Sequence, residues 1–259
     1  MKTIINHNNR NYEIDLSEPL DISIPLVADE SNLTAWYVDA PKFEPVVGEG
    51  FIGDVNKGGS VNFRNIFFNP HGHGTHTECV GHISKEHYTI NQCLTEFFFL
   101  AEVVSIIPKQ YFEASASPEH ALCDKVITLA QIKNVWKNND VKAIVIRTLP
   151  NGNDKLSMQY SNTNPPFIAF EAVQFLIDNG VEHLLIDTPS VDKEDDNGVL
   201  KSHHTFWEYP KNTQKQRTIT EFIFVPEAIT DGTYFINIQI ASFENDASPS
   251  KPILYKILV

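Results

Sequence analysis

The chain has 259 residues, 42% of them apolar and 20% charged, a balance that suits one large or two small globular domains with a real core. Twenty basic against 33 acidic residues leave a net charge of −13, the opposite of what a nucleic-acid binder needs to neutralise phosphates. No apolar run approaches the ~20 residues that span a bilayer and the first residues lack a signal peptide's apolar core, so the expectation is a cytoplasmic protein without membrane or nucleic-acid partners.

The opening, residues 1–16, alternates weakly and predicts an edge strand or hairpin. Residues 19–26 alternate as a half-buried strand does, and the Gly- and Pro-rich residues 27–60 read as loop with short strands. Trp36 and Tyr37 in that stretch can line a pocket or anchor the core. Residues 61–68 predict a strand leading into a histidine-rich segment. Residues 100–107 predict a buried strand from their Val and Ile content. Thr128-Leu129-Ala130-Gln131 has the form of a capping box opening a helix. Residues 142–149 are apolar enough for the centre of a sheet. Pro165-Pro166 predicts the start of a helix running through Phe170, Val173, Leu176 and Ile177 to a stop at Gly180. A strand over 183–188 follows, which makes a βαβ unit with parallel strands. Residues 192–198 are acidic and read as exposed, and His203-His204 read as an exposed pair. Further strands are expected over 220–225, 234–240 and 253–259. No repeat or low-complexity linker divides the chain, so one domain over 1–259 is expected. Cys79, Cys93 and Cys123 are scattered and odd in number, which suits a reducing compartment rather than a disulfide framework.

The chemistry concentrates in Asn69-Pro70-His71-Gly72-His73-Gly74-Thr75-His76-Thr77-Glu78-Cys79-Val80-Gly81-His82. Imidazole and carboxylate are the usual ligands of zinc, manganese and iron, and an unligated histidine serves as acid or base near neutral pH. If residues 76–82 run extended, His76, Glu78 and His82 share one face, while His71 and His73 have the opposite parity. Asp187 and Asp192, on either side of the turn at Pro189, are expected near the C-terminal edge of the sheet, where open α/β folds carry their sites. Glu221 is a carboxylate inside an apolar strand, which needs a metal, a cation or solvent to justify it.

The segment from Gly74 to His82 resembles the signature His-x-Gly-Thr-His-x-Asp-x-Pro-x-His of the metal-dependent cyclase family, which includes bacterial kynurenine formamidases. Asp21-Ile22-Ser23, Arg147-Thr148, Asp187-Thr188-Pro189-Ser190-Val191-Asp192, Ser202-His203-His204, Glu221 and Asp246-Ala247-Ser248-Pro249 match in order over nearly the whole chain. The resemblance implies an α/β fold of the swivelling β/β/α type, a single domain with a mixed β-sheet and flanking helices. It also implies hydrolysis of a small amide with a divalent metal, zinc or manganese, in a homodimer or higher homo-oligomer. It makes His76, Glu78, His203 and Glu221 metal ligands and His82 the proton shuttle. Trp36, Asp187 and Ser190 become candidate substrate contacts. Three departures stand out: Gly72 occupies the position of the first signature histidine, with His71 and His73 as alternative replacements; Glu78 replaces aspartate; and Val80 replaces proline. The specific expectation is an arylformamidase cleaving N-formylkynurenine. The alternatives are a hydrolase of another cyclic amide or lactam, and a non-catalytic metal- or ligand-binding relative.

Overall fold

Ala143-Ile144-Val145-Ile146-Arg147-Thr148 is buried at every position, so the run has no polar alternation. It lies between two parallel neighbours in the computed structural model, which describes residues 1–111, 123–137 and 140–258. Seven strands make the ring of the central sheet: β1 (His76–Glu78), β2 (Phe98–Ile106), β3 (Ala143–Thr148), β4 (His183–Ile186), β5 (Thr218–Glu221), β6 (Gly232–Ile240) and β7 (Ala247–Lys256); the short strand Leu20–Asp21 adds an eighth, antiparallel to β7. The order in the ring is β6-β2-β3-β4-β5-β1-β7, and β6 also pairs with β7, so the sheet closes into a barrel. Strands β2 to β5 are mutually parallel, and the other pairings are antiparallel. This is the expected mixed sheet of an α/β fold, and closure leaves its ring without a free edge.

The alternation of side chains along each strand separates two cores. Ala101, Val103, Val145, Leu185, Ile236, Ile238 and Leu254 fill the barrel. Val104, Ile144, Ile146, Leu184, Ile186 and Ile219 point outward against helices. Those helices are α2 (Leu129–Val135), α3 (Phe170–Asp178) and α4 (Lys201–Trp207); α1 (Pro70–His73) is a single turn beside the barrel. Both halves of the capping box at Thr128 and Gln131 form. The hairpin Lys2–His7/Arg10–Asp15 matches the expected opening, with Ile14 packed on Leu100, Val141 and Phe235. Arg147 is tied to the carbonyls of Pro226 and Ile229 and to Asp231, which fastens the segment before β6 to β3.

Several sequence expectations change. The helix expected from Pro165-Pro166 begins only at Phe170, because Phe167–Ile168 first pairs as a strand with Val126–Ile127. Residues 201–207 form a helix although nothing in their pattern signals one; the turn starts from Leu200 in a left-handed conformation. Asp192 and His203, expected to be exposed, are 6% and 2% exposed. The last strand starts at Ala247 rather than 253, and Val259 lies outside the described residues. No helix among the described residues is long and apolar enough to cross a membrane.

Candidate metal centre

Register builds the floor of the site. β5 and β1 pair so that Glu221 lies directly across from His76, and β7 places Pro249 on the other side of His76. Thr77 and Thr220 therefore face the barrel interior, where their hydroxyls share a 2.8 Å hydrogen bond. His76, Glu78 and Glu221 face outward, toward α4 and His203. His76 Nε2 is 3.4 Å from Glu221 Oε2, and His203 Nε2 is 3.2 Å from Glu78 Oε1 and 3.9 Å from Glu221 Oε1.

α1 brings in the third side of the site. Asn69 caps the turn by accepting the Gly72 N–H at 3.2 Å, and Pro70 opens it with its fixed φ. The turn swings His71 over the floor, with Nδ1 3.2 Å from Glu78 Oε2 and Nε2 2.8 Å from Asp246 Oδ2. His73 goes elsewhere: its Nδ1 accepts the Asn69 N–H at 2.8 Å and its Nε2–H donates to the Asp39 carbonyl at 2.7 Å. Of the two flanking histidines, only His71 joins the cluster.

His82 arrives by a different route from the one its spacing suggests. Only residues 76–78 are extended, and Val80–His82 is a 3₁₀ turn. That turn leaves His82 Nδ1 3.4 Å from Asp246 Oδ2 and 3.7 Å from Glu78 Oε2, with its ring 4.4 Å from that of His71.

Four ligand-type atoms here are sealed from solvent and make no aligned hydrogen bond: His76 Nε2, both oxygens of Glu78 and His203 Nε2. Burying such groups unsatisfied is costly. Their nearest partners stand at ion-pair distance but misaligned: Glu221 for His76, His71 for Glu78 Oε2, and His203 and Glu78 Oε1 for each other. A shared divalent cation would satisfy all of them, and the donor set of imidazole and carboxylate suits zinc or manganese. The ligand atoms of His71, His76 and Glu78 lie within 4.8 Å of one another, as do those of Glu78, His82 and His203.

The opposing charges dominate the electrostatics. Burial works against the charge on Glu78, but His82, His203 and His71 outweigh it and hold the carboxyl well below its usual range. Burial likewise opposes a proton on His203; Asp192 and then Glu78 overcome that and raise its pKa to about 10. At His71 burial is again overcome, by Asp246 and Glu78, to about 10. Asp246 is held well below the usual carboxylate range by His71 and His82, despite partial burial.

A cavity of about 390 Å³ opens above the cluster, with Trp36, Asn69, His71, His82, Ser190 and His203 among its walls. Trp36 takes a left-handed backbone conformation at φ 60°, unusual for a bulky side chain and found where structure elsewhere enforces it. A larger cavity of about 840 Å³ shares the 193–197 loop with this one but carries none of the histidines.

Of the candidate substrate contacts, Trp36 and Ser190 line the cavity and Asp187 does not. Asp187 is buried against Lys155, whose Nζ is 2.7 Å away, and accepts the Thr148 N–H at 2.8 Å. It is a structural ion pair. Trp207 packs in the outer core with Nε1 donating to the Arg217 carbonyl, away from the cavity wall. Sequence reasoning placed Asp192 near the sheet edge and Asp246 in a matching motif but gave neither a role at the metal centre. Asp192 sits in an acidic run, and composition alone reads such a run as solvated. Asp246 lies 164 positions after His82 in the chain, so no local spacing links them.

The family model described as "Putative cyclase" matches residues 14–193, well over half of the chain. No curated protein matches the sequence significantly. Among solved structures, isatin hydrolase A from Labrenzia aggregata bound to benzyl benzoate is 14% identical, with a TM-score of 0.64 over 93% of this chain and 94% of that one. An isatin hydrolase bound to the product analogue thioisatinate is 12% identical, with a TM-score of 0.62 over 93% and 94%. A predicted metal-dependent hydrolase from Bacillus stearothermophilus is 16% identical, with a TM-score of 0.61 over 92% and 98%. At these identities the likeness is one of fold. With the family model matched along the segment that carries the histidine cluster, this chain belongs to the cyclase family.

Proposed function

We propose that this protein is a metal-dependent hydrolase of a small amide. The observation that carries the reading is the convergence of four sealed ligand atoms without an aligned hydrogen bond, from His76, Glu78 and His203, beneath a cavity that His203 and Glu221 line. Glu221, in register with His76, completes the floor. These residues would hold zinc or manganese. Such an ion, when bound, makes water a nucleophile near neutral pH and polarises a carbonyl oxygen.

The chain's own groups account for the rest. His82 is partly exposed on the cavity wall beside Asp246 and Glu78. From there it takes the proton of the attacking water and returns it to the leaving nitrogen. Trp36 offers an aromatic face, and Asn69 and Ser190 offer polar atoms on the same wall. The cavity volume falls within the range for small-molecule sites. N-formylkynurenine, an aromatic formamide, is the specific substrate we assign, giving kynurenine and formate. The fold shared with isatin hydrolases supports a second reading, a cyclic amide such as isatin.

Metal analysis of the purified protein, followed by assays on N-formylkynurenine and isatin, decides between them. Bound metal with turnover of one of these amides is the expected result. A metal-loaded protein that hydrolyses no amide would instead support a binding relative, and a protein that takes up no divalent metal would remove the reading altogether.

A further inference from the structure

We infer that the ligand set of this chain is shifted by one position, with His71 binding the metal through Nδ1 and Asp246 fixing its ring. The inference rests on the metal-hydrolase reading and specifies which residues complete its centre. It starts from position 72. A Cβ there would lie 2.7 Å from Val38 Cγ2 and 3.3 Å from the Ala35 carbonyl oxygen. Position 72 thus faces Val38 and Ala35 rather than the cluster, and a longer side chain has no way in.

Position 71 has what 72 lacks. Successive residues on a helical turn point ~100° apart, so a shift of one position redirects a side chain completely. The turn fixed by Asn69 and Pro70 aims His71 at Glu78, with Nδ1 3.2 Å from Oε2. The Nε2···Oδ2 contact to Asp246 at 2.8 Å makes Nε2 the nitrogen that keeps its proton when the ring is neutral, as a metal ligand must be. The lone pair is then on Nδ1, on the side of the cluster. This is the carboxylate–histidine arrangement that orients metal ligands.

The opposite edge of the site carries the same device with the nitrogens exchanged. His203 gives its Nδ1–H to Asp192 at 2.7 Å and turns Nε2 inward. His76 also turns Nε2 inward, because its Nδ1 is 3.0 Å from the Gly74 carbonyl. His71 is therefore the exception in a centre otherwise built on Nε2. His73 cannot serve, since both its ring nitrogens are engaged by backbone groups. The competing arrangement is an outer ion held by His71 through Nε2 with His82 and Asp246; one ligand atom from each of these residues lies within 4.8 Å of the others.

The test is zinc binding, measured by competition with a chromogenic chelator. It is paired with long-range ¹H–¹⁵N NMR of the zinc-loaded wild type, which reports the bound nitrogen of each imidazole. His71→Ala and His71→Gln should weaken zinc binding at least about a hundredfold, and Asp246→Asn about 10- to 100-fold, while His73→Ala leaves it unchanged. The NMR should show His71 bound through Nδ1 and His76 and His203 through Nε2. Wild-type affinity in the His71 variants, or His71 bound through Nε2, overturns the inference; the latter marks the outer ion. Should a His71 variant fail to fold, the wild-type NMR still decides, because it distinguishes Nδ1 from Nε2 binding directly. His76→Ala separates the two levels. If it abolishes zinc binding while the His71 variants do not, only the role of His71 fails. If it too binds zinc normally, the metal reading itself fails.

Discussion

Asp192 Oδ2 accepts two hydrogen bonds from His203, one from ring Nδ1–H at 2.7 Å and one from the backbone N–H at 3.0 Å. One carboxylate thus holds both the imidazole and the start of α4, and its Oδ1 accepts the Ser202 N–H as well. Asp192→Asn keeps an acceptor but loses the charge and the symmetry of the carboxylate. Zinc affinity should fall about 10- to 100-fold, measured by chelator competition, with the melting profile of the apo-protein changed far less. Unaltered affinity would mean that His203 needs no orienting partner.

A second expectation concerns acid. Burial, helped by the charge on Lys142, lowers the pKa of His183 from 6.5 to about 3, and its Nδ1 pairs with Thr218 Oγ1 at 2.8 Å. The folded state keeps this ring neutral while the unfolded chain protonates it below about pH 6.5. Stability is therefore full above pH 6.5 and falls as the pH drops toward 3. Between pH 6.5 and 5 the loss from this group is about 2 kcal/mol. Urea melts of wild type and His183→Gln across that interval check it, because the variant should lack this part of the slope.

Position 72 gives a steric expectation. Gly72→Ala adds only the Cβ that would press on Val38 and the Ala35 carbonyl. It should destabilise by about 1–3 kcal/mol in denaturant melts, against the usual helix preference for alanine. Val38→Ala in the same chain should recover part of that loss. A neutral Gly72→Ala would show that the turn has room to spare.

The Lys155–Asp187 pair supplies a fourth. Burial pushes the Asp187 carboxyl up, against the opposing pull of Lys155, and Asp187 Oδ1 has no hydrogen-bond partner. Lys155→Met strands this carboxylate and should cost about 3–5 kcal/mol. The double variant Lys155→Met/Asp187→Leu should recover most of it. Recovery in denaturant melts is the signature of a structural pair; a loss of substrate affinity at full stability would return Asp187 to the binding site.

The sequence was most legible where one physical signal dominated. β3 and β4 are buried throughout and carry apolar runs, Ala143 to Ile146 and Leu184 to Ile186, because both faces are covered, and Thr128 and Gln131 carry a reciprocal cap that is purely local. Glu221 stood out because a carboxylate in an apolar strand demands a partner, and His76 lies across from it. The elements that escaped depend on tertiary contacts. α4 is seven residues long and starts from a left-handed Leu200, so neither length nor cap announces it. Asp192 reads as solvated until His203 and the backbone of α4 close over it. Strand parity groups His82 with His76, but it reaches Glu78 through a 3₁₀ turn. The choice between His71 and His73 turned on the contacts of Val38 and Asp39, more than thirty residues upstream.

The three-residue strand β1 is held on one side by residues 219–221 and on the other by residues 247–249. Its own residues are made well before both of its neighbours. The ligand geometry is therefore acquired near the end of folding, through contacts of very long sequence separation, the kind that forms slowly. A growing chain carries His76 and Glu78 without the frame that aims them until residues 219–221 and 247–249 have been made. On the proposed function, metal capture is consequently an event of the finished barrel, and metal retention during unfolding should report ring opening before it reports loss of the helices.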